Sequence, residues 1–453
     1  MAPDLDWDAL GERGVALLMA LLRFETVNPP GNERPAALFV QSELERVGLS
    51  ARIFEGAPER SNVVCRIPGD GSGGGPLLLS GHLDVVPVER QHWDLPPFEA
   101  AVRDGYLYGR GTIDMKNHVA ACLLVMQILA ESGLTPRRDI IFAAVADEEE
   151  GCRWGSQYLV ERHPEAVRAE YMIGEVGGYS LDMTGVRYYP IQIAEKGRAK
   201  IKMTAFGAPG HGSMPHRDMA VTRLARALNT LGASRLPQHA TGAMNRFFAI
   251  LADTQPAPMR WVLPQLLKPR IADALLARAL PPDRARSLGA LLSNTATATM
   301  LEGSSKFNVI PGAASAILDG RTLPGQTPED LVAELRALLG ADLQFEVLDS
   351  APPVEQPDPA SPLYDAICAS LRQHDPEGVP LPYMIPGFTD AAWFSRLGCR
   401  CYGFSPHRYP AEDNIRFTDL FHGHNERIHL DGFRWGLRLL WDVIARFTLD
   451  AHS

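Results

Sequence analysis

Three apolar runs in the N-terminal half constrain the fold more than any other feature: PLLLSGHLDVVP, DIIFAAVADEEE and EYMIGE. Each is apolar on both faces, as a strand covered by helices on either side must be, and each leads into histidine or carboxylate residues. Helical patterns lie between them. VALLMALLRF and AALFVQSELERVG carry apolar residues at three-to-four spacing, and MKNHVAACLLVMQILAESG follows the first run as a helix. Buried strands separated by helices predict an α/β class with a mainly parallel sheet. Parallel strands set their ends along one sheet edge, where α/β proteins form their sites.

The texture changes near residue 196. RAKIKMTAFG alternates as a half-exposed strand, AVTRLARALNTLG is an amphipathic helix, and ATATMLEG, SAILDGRTLP and LQFEVLDSA alternate again, with the helix TPEDLVAELRALLG between the last two. Strand, helix, strand, strand, helix, strand is a small α+β unit. A Pro- and Arg-containing helical stretch, about 240–293, interrupts it, and α/β texture resumes near 353. The expected organisation is one domain of 1–195 and 353–453 with a second, 196–352, inserted into it.

Charge and cysteine usage narrow the partners. Lys+Arg 44 against Asp+Glu 54 gives a net charge of -10, which argues against nucleic acid or an anionic membrane as partner. The start MAPDLDWDAL lacks a signal-peptide pattern, and no apolar run approaches the roughly 20 residues that span a bilayer. Six scattered cysteines read as buried thiols of a cytoplasmic protein. Cys399 and Cys401 stand too close for an ordinary bridge.

Candidate ligands stand at five places: His82 in GHLDVVP, Asp114 in GTIDMK, Glu148 and Glu149 in DEEE, Glu175 in MIGEVGG, and His422 in FHGHNERI. Singly each has a plain reading: a packed core histidine, a helix N-cap, a solvated acidic loop, a loop carboxylate, an exposed histidine. Together, imidazole and carboxylate without thiolate suit Zn²⁺, Mn²⁺ or Co²⁺ in a catalytic role. Asp84, two residues after His82 on the same strand face, can accept the second imidazole N–H. Glu148 and Glu149, as neighbours in extended backbone, should point apart, leaving only one of them as a ligand.

GHLDVVP, GRGTIDMK, a Glu-Glu pair before Gly, a Gly-Glu pair and a late HGHNE occur in that order. Over nearly the whole chain this resembles the M20 family of co-catalytic zinc peptidases and amidohydrolases. The resemblance implies two Zn²⁺ per subunit, with Co²⁺ or Mn²⁺ as substitutes. It implies that His82 and Glu175 hold one metal, Glu149 and His422 the other, and that Asp114 bridges them. It also implies that Glu148 is the general base for a water held between the metals. Asp147 and Glu150 are given no chemistry.

In the inserted domain the resemblance points to His211, in GAPGHGSMPH, as an oxyanion donor reaching across a homodimer interface. Asn308 and Arg321 would bind a substrate carboxylate, for which a guanidinium fork is suited. PGFTDAAWF resembles a substrate loop in which Gly387 and Thr389 present polar groups, with Phe388 where a small residue is frequent. Read only locally, these are turn residues and a surface ion pair. Asn117, YYPIQIAEKG and the long insertion resemble the carboxypeptidase S and N-acyl-amino-acid hydrolase branch. FFAIL and MRWVLPQLL suit either an acyl pocket or packing on the domain itself, and His118 reads as packing. The expected activity is hydrolysis of an amide in N-acyl amino acids or small peptides with a free carboxylate. The alternatives are a biosynthetic deacylase of acylornithine or succinyl-diaminopimelate type, a hydrolase using one metal, and a metal-free binding homologue.

Overall fold

The computed structural model describes residues 5–269, 271–272, 288–356, 361–413, 415 and 417–449. Residues 270 and 273–287 of the expected helical insertion lie outside the described residues. The chain forms two compact units: 1–193 with 358–382 and 389–453, and 194–357 with 383–388.

The first unit is built on a mixed sheet whose centre is parallel. Its four central strands lie in the order Ile140–Val145, Leu77–His82, Tyr171–Gly174, Arg400–Gly403, each parallel to the next. Antiparallel strands Arg60–Ile67 and Ala51–Ala57 extend one side. Every residue of the first two central strands is buried. The helix Lys116–Ser132 packs against the Leu77–His82 strand and is itself covered by Trp7–Leu22, Arg34–Glu45 and Leu430–Thr448. It is therefore buried from Lys116 to Leu129.

From the strand ending in His82 the chain moves first to a neighbour on one side, Ile140–Val145, and later to one on the other, Tyr171–Gly174. That reversal is a topological switch point. The connecting loops leave in opposite directions there and open a crevice at the strands' carboxyl ends. Gly403 lets the fourth strand close on this edge, since a Cβ there would lie 2.1 Å from the main-chain oxygen of Glu175.

The second unit carries a four-stranded antiparallel sheet, in the order Thr295–Glu302, Ala313–Thr322, Gly197–Phe206, Leu343–Ala351. Ala220–Ala233 and Pro328–Leu339 pack on one face, burying Ile201, Met203, Leu318, Leu331 and Leu335. A reciprocal cap between Thr327 and Asp330 starts the second helix. Thr295–Glu302 is one of the two outer strands of its sheet, and Met300 and Leu301 on it are exposed. Of the expected insertion, Gly242–Thr254 and Met259–Val262 are helices.

Among the described residues no helix is long and apolar enough to cross a membrane. All six cysteines are free and buried.

Candidate metal centre

His82 ends its strand with a fully buried ring. Its Nδ1 lies 2.9 Å from the main-chain oxygen of Asp84, an acceptor, so Nδ1 carries the proton and Nε2 faces the crevice. Nε2 lies 3.1 Å from Asp114 Oδ1, 3.6 Å from Glu175 Oε2 and 3.9 Å from Glu148 Oε2. On the far side, His422 Nε2 lies 2.9 Å from Asp114 Oδ2 and 3.2 Å from Glu149 Oε2. Asp114 thus offers one oxygen to each imidazole. Two groups of potential ligands, His82–Asp114–Glu175 and Asp114–Glu149–His422, meet at that carboxylate.

The electrostatics call for positive charge. Burial, with the neighbouring Asp114 among the further causes, pushes both Glu149 and Glu175 up to about 7. Burial and the charge of Glu175 raise Glu148 well above the carboxylate range. Burial alone would also raise Asp114, but hydrogen bonds with His422 and His82 outweigh it and hold it low. Burial opposes charge on His422, yet Asp114 and Glu149 push it up to about 10. Glu149 Oε1 and Glu175 Oε1 are buried without a hydrogen-bond partner among the described residues. Orphaned carboxylate oxygens beside converging imidazole nitrogens fit a divalent cation, and the oxygen–nitrogen donor set suits zinc or a similar metal.

Three local readings change. The acidic segment after Val145 is a tight turn, with Asp147 at φ 69, so Glu148 and Glu149 both face His82. Asp84 gives His82 its main-chain oxygen, while its carboxylate lies at 3.4 Å from the ring. That carboxylate instead accepts the backbone N–H groups of Glu148 and Glu149, at 3.1 and 3.2 Å, and fixes the turn that carries them. Asp114 does not cap the helix after it, whose N-cap is Met115.

Sequence reasoning missed the groups that hold this centre. Glu426 is buried and accepts N–H groups from Gly111, Ile113 and Asp114, with Arg110 Nη1 at 2.7 Å. Arg110 Nη2 also donates to the main-chain oxygens of His422 and Gly423, joining the Asp114 turn to the His422 loop. Glu426 lies in the HGHNE motif, so its position was visible although its partners were not. Asn28 donates to Asp84 and Asp147. Burial pushes Asp390 up to about 6, and its charge acts on Glu148 and Glu175. His118 is buried, 3.3 Å from Cys122 Sγ, and burial pushes it down to about 4, so it packs as a neutral ring.

Residues 78–446 match the model of peptidase family M20/M25/M40. The chain belongs to this family. The M20 chain is 29% identical over 385 residues to N-fatty-acyl-amino acid synthase/hydrolase PM20D1 of Homo sapiens, covering 83% of this chain and 74% of that protein. It is 28% identical over 441 residues to aminoacylase-1A of Rattus norvegicus, covering 95% and 94%. In fold it is similar to an M20 family metallo-carboxypeptidase of Sulfolobus solfataricus, with TM-score 0.70 and 18% identity over 96% of this chain and 99% of that one. It is also similar to a Bacillus subtilis protein described as a dinuclear metal binding peptidase of the M20 family, with TM-score 0.61 and 12% identity over 96% and 98%. The M20 chain is a hydrolytic enzyme of this family.

The remaining candidates of this M20 chain are divided between its units. Thr389 is in the first, buried, with its hydroxyl accepting from Ala391 N at 3.1 Å. His211, Asn308, Arg321 and Gly387 are in the second. His211 is exposed and bonds Ser213 Oγ at 2.7 Å; exposed Asn308 accepts from Gly212 N through its main chain. Arg321 pairs with Asp319 through Nε at 2.9 Å and Nη2 at 3.2 Å. The Gly387 main-chain oxygen accepts from Lys196 N, and the Phe388 ring lies under the Arg198 guanidinium.

Proposed function

We propose that this chain hydrolyses the amide bond of N-acyl amino acids or small peptides that carry a free carboxylate. One observation carries the reading: two potential ligand groups share Asp114, with Glu148 beside them. The names of its relatives, N-fatty-acyl-amino acid synthase/hydrolase and aminoacylase, favour that substrate class. His82, Asp114 and Glu175 would hold one divalent cation, and Asp114, Glu149 and His422 a second. When bound, two such cations, zinc by preference with cobalt or manganese as substitutes, supply the charge that acidifies a water and polarises the scissile carbonyl.

The protein's own groups handle the proton and the substrate. Glu148 takes a proton from the attacking water and passes it to the leaving amine nitrogen. Asp84 fixes the turn beneath Glu148. His211, supplied by the partner subunit of a homodimer, donates to the developing oxyanion. Arg321, with Asn308, receives the substrate carboxylate in place of or beside Asp319, and Gly387 and Thr389 offer further polar groups to the substrate. Residues 1–195 and 353–453 form the catalytic domain in this reading, and 196–352 the lid and dimerisation domain. Six free buried thiols favour a cytoplasmic setting.

The test is amine release by the metal-loaded protein from N-acyl amino acids of graded chain length, dipeptides, acylornithine and succinyl-diaminopimelate. Cleavage of the first two groups is expected. Turnover confined to the biosynthetic substrates would move the chain to the deacylase reading, and no turnover on any would refute both.

A further inference from the structure

A third convergence of ligand atoms lies at the surface of the first unit. Glu89 precedes and His92 ends the short helical turn Arg90–His92, with Glu89 Oε2 3.0 Å from His92 Nδ1. His424 Nε2 approaches the same Oε2 atom to 3.9 Å. The two rings stand edge to face with centroids 5.0 Å apart, so they reach the carboxylate from different directions. All three ligand atoms lie within 4.8 Å of one another. Tetrahedral zinc with bonds of 2.0–2.1 Å sets its ligand atoms roughly 3.4 Å apart. The 3.0 and 3.9 Å spacings here bracket that value, as do the 2.9–3.6 Å spacings from His422 and His82 to carboxylates of the buried centre.

The surroundings leave this carboxylate to the imidazoles. Arg90, the adjacent cation, pairs with Glu25 and lies over the Phe98 ring. Among the described residues the ion pairs of Glu89 are those with His92 and His424. The two segments are also held together independently of any ion, since Asp94 N donates to Asn425 Oδ1 at 2.7 Å. The segments that carry the trio are thus joined by a contact the trio does not itself make.

We propose that Glu89, His92 and His424 form a further binding site for a borderline divalent cation, with zinc as the best fit. Two imidazoles and one carboxylate are the ligand set of an open zinc site, with a coordination position left to water. All three side chains are exposed, so binding must order them against solvent and is weaker than in the buried centre. A cation here would tie the 89–92 turn to His424, two residues beyond His422, and so hold the loop that presents His422.

Zinc titration against a competing chelator, with cobalt absorption spectra as a second readout, tests the site. The full chain should take up one more equivalent, more weakly held, than either His92→Ala or Glu89→Gln. Each substitution should lower affinity for that equivalent at least about tenfold. Glu149→Gln should weaken a buried equivalent and leave the surface one. Identical zinc uptake and spectra in the full chain and both surface variants would overturn the proposal. Loss of the surface equivalent alone, with no buried metal detected in any form, would support it while refuting the proposed function.

Discussion

Arg60 Nη2 lies 2.8 Å from Asp147 Oδ1, inside a buried network that underlies the acidic turn. The same guanidinium forms a two-pronged pair with Glu33 at 2.7 and 2.8 Å. Asp147 accepts further from Asn28 and from Trp154 N, and Asn28 passes the connection to Asp84. The turn bearing Glu148 and Glu149 is thus fastened from below by one cation. Arg60→Met should destabilise the protein by about 3–5 kcal/mol, because two buried carboxylates lose their partner. Denaturant unfolding measures this, and adding Asp147→Asn should cost less than the sum of the single changes. A loss within about 0.5 kcal/mol would show that the network is structurally idle.

Glu148 and Glu149 are adjacent but are assigned different work. Glu148→Gln keeps the side chain's shape and should abolish nearly all turnover while metal content stays unchanged. Glu149→Gln should weaken metal binding. Elemental analysis beside an activity assay separates them, and the opposite pattern would exchange the two assignments.

Acidity should oppose metal loading. In the metal-free protein Glu149 and Glu175 are both pushed up to about 7 by burial, so a cation must displace protons below that pH. Apparent affinity should fall as pH drops through about 7, with proton release visible by calorimetry in two buffers. Stability follows the opposite slope. A carboxyl with a folded pKa near 7 and an ordinary value of 4.5 stabilises the fold at low pH and loses that contribution as pH rises between them. The chelated protein should therefore melt lower at pH 8 than at pH 5.5, and added zinc should restore most at the higher pH. A pH-independent melting point for the chelated form would contradict this.

Glu426 should matter without touching the chemistry. Glu426→Gln removes charge from the acceptor that gathers the N–H groups around Asp114, and metal affinity should fall 10–100-fold, on the scale of outer-sphere support. Competition with a chromogenic chelator reads the change. Unaltered affinity would confine Glu426 to its ion pair with Arg110.

The assignment of His211 to the partner subunit has a complementation test. Inactive His211→Ala and inactive Glu148→Gln, mixed under conditions of subunit exchange, should regain part of the activity, because one site of each heterodimer is then intact. No recovery after proven exchange would place His211 within its own chain's site or outside catalysis.

The sequence displayed what depends on nearest neighbours and concealed what depends on distant ones. Leu77–His82 and Ile140–Val145 could be read because strands buried on both faces must be apolar throughout. The strand Val186–Glu195 was not assigned, although its last eight residues are buried, because Tyr188, Pro190 and Gln192 blur the pattern. The turn after Val145 was read as extended, since nothing local announces that Asp147 adopts φ 69. Arg60 and Asp147 are 87 residues apart, and Arg110 and Glu426 are 316 apart. No spacing rule reaches across such distances. The candidate ligands were open to reading because each sits in a short motif; the groups that orient them belong to other segments.

That separation has a consequence for synthesis. His82, Asp114, Glu148, Glu149 and Glu175 leave the ribosome early, while His422 and Glu426 follow more than two hundred residues later. Until then the Asp114 turn has neither its imidazole on one side nor the carboxylate that gathers its N–H groups. A nascent or prematurely terminated chain can present only the His82 side of the centre. The two ligand groups that share Asp114 can therefore both be complete only after His422 has been added, and the Asp114 turn only after Glu426.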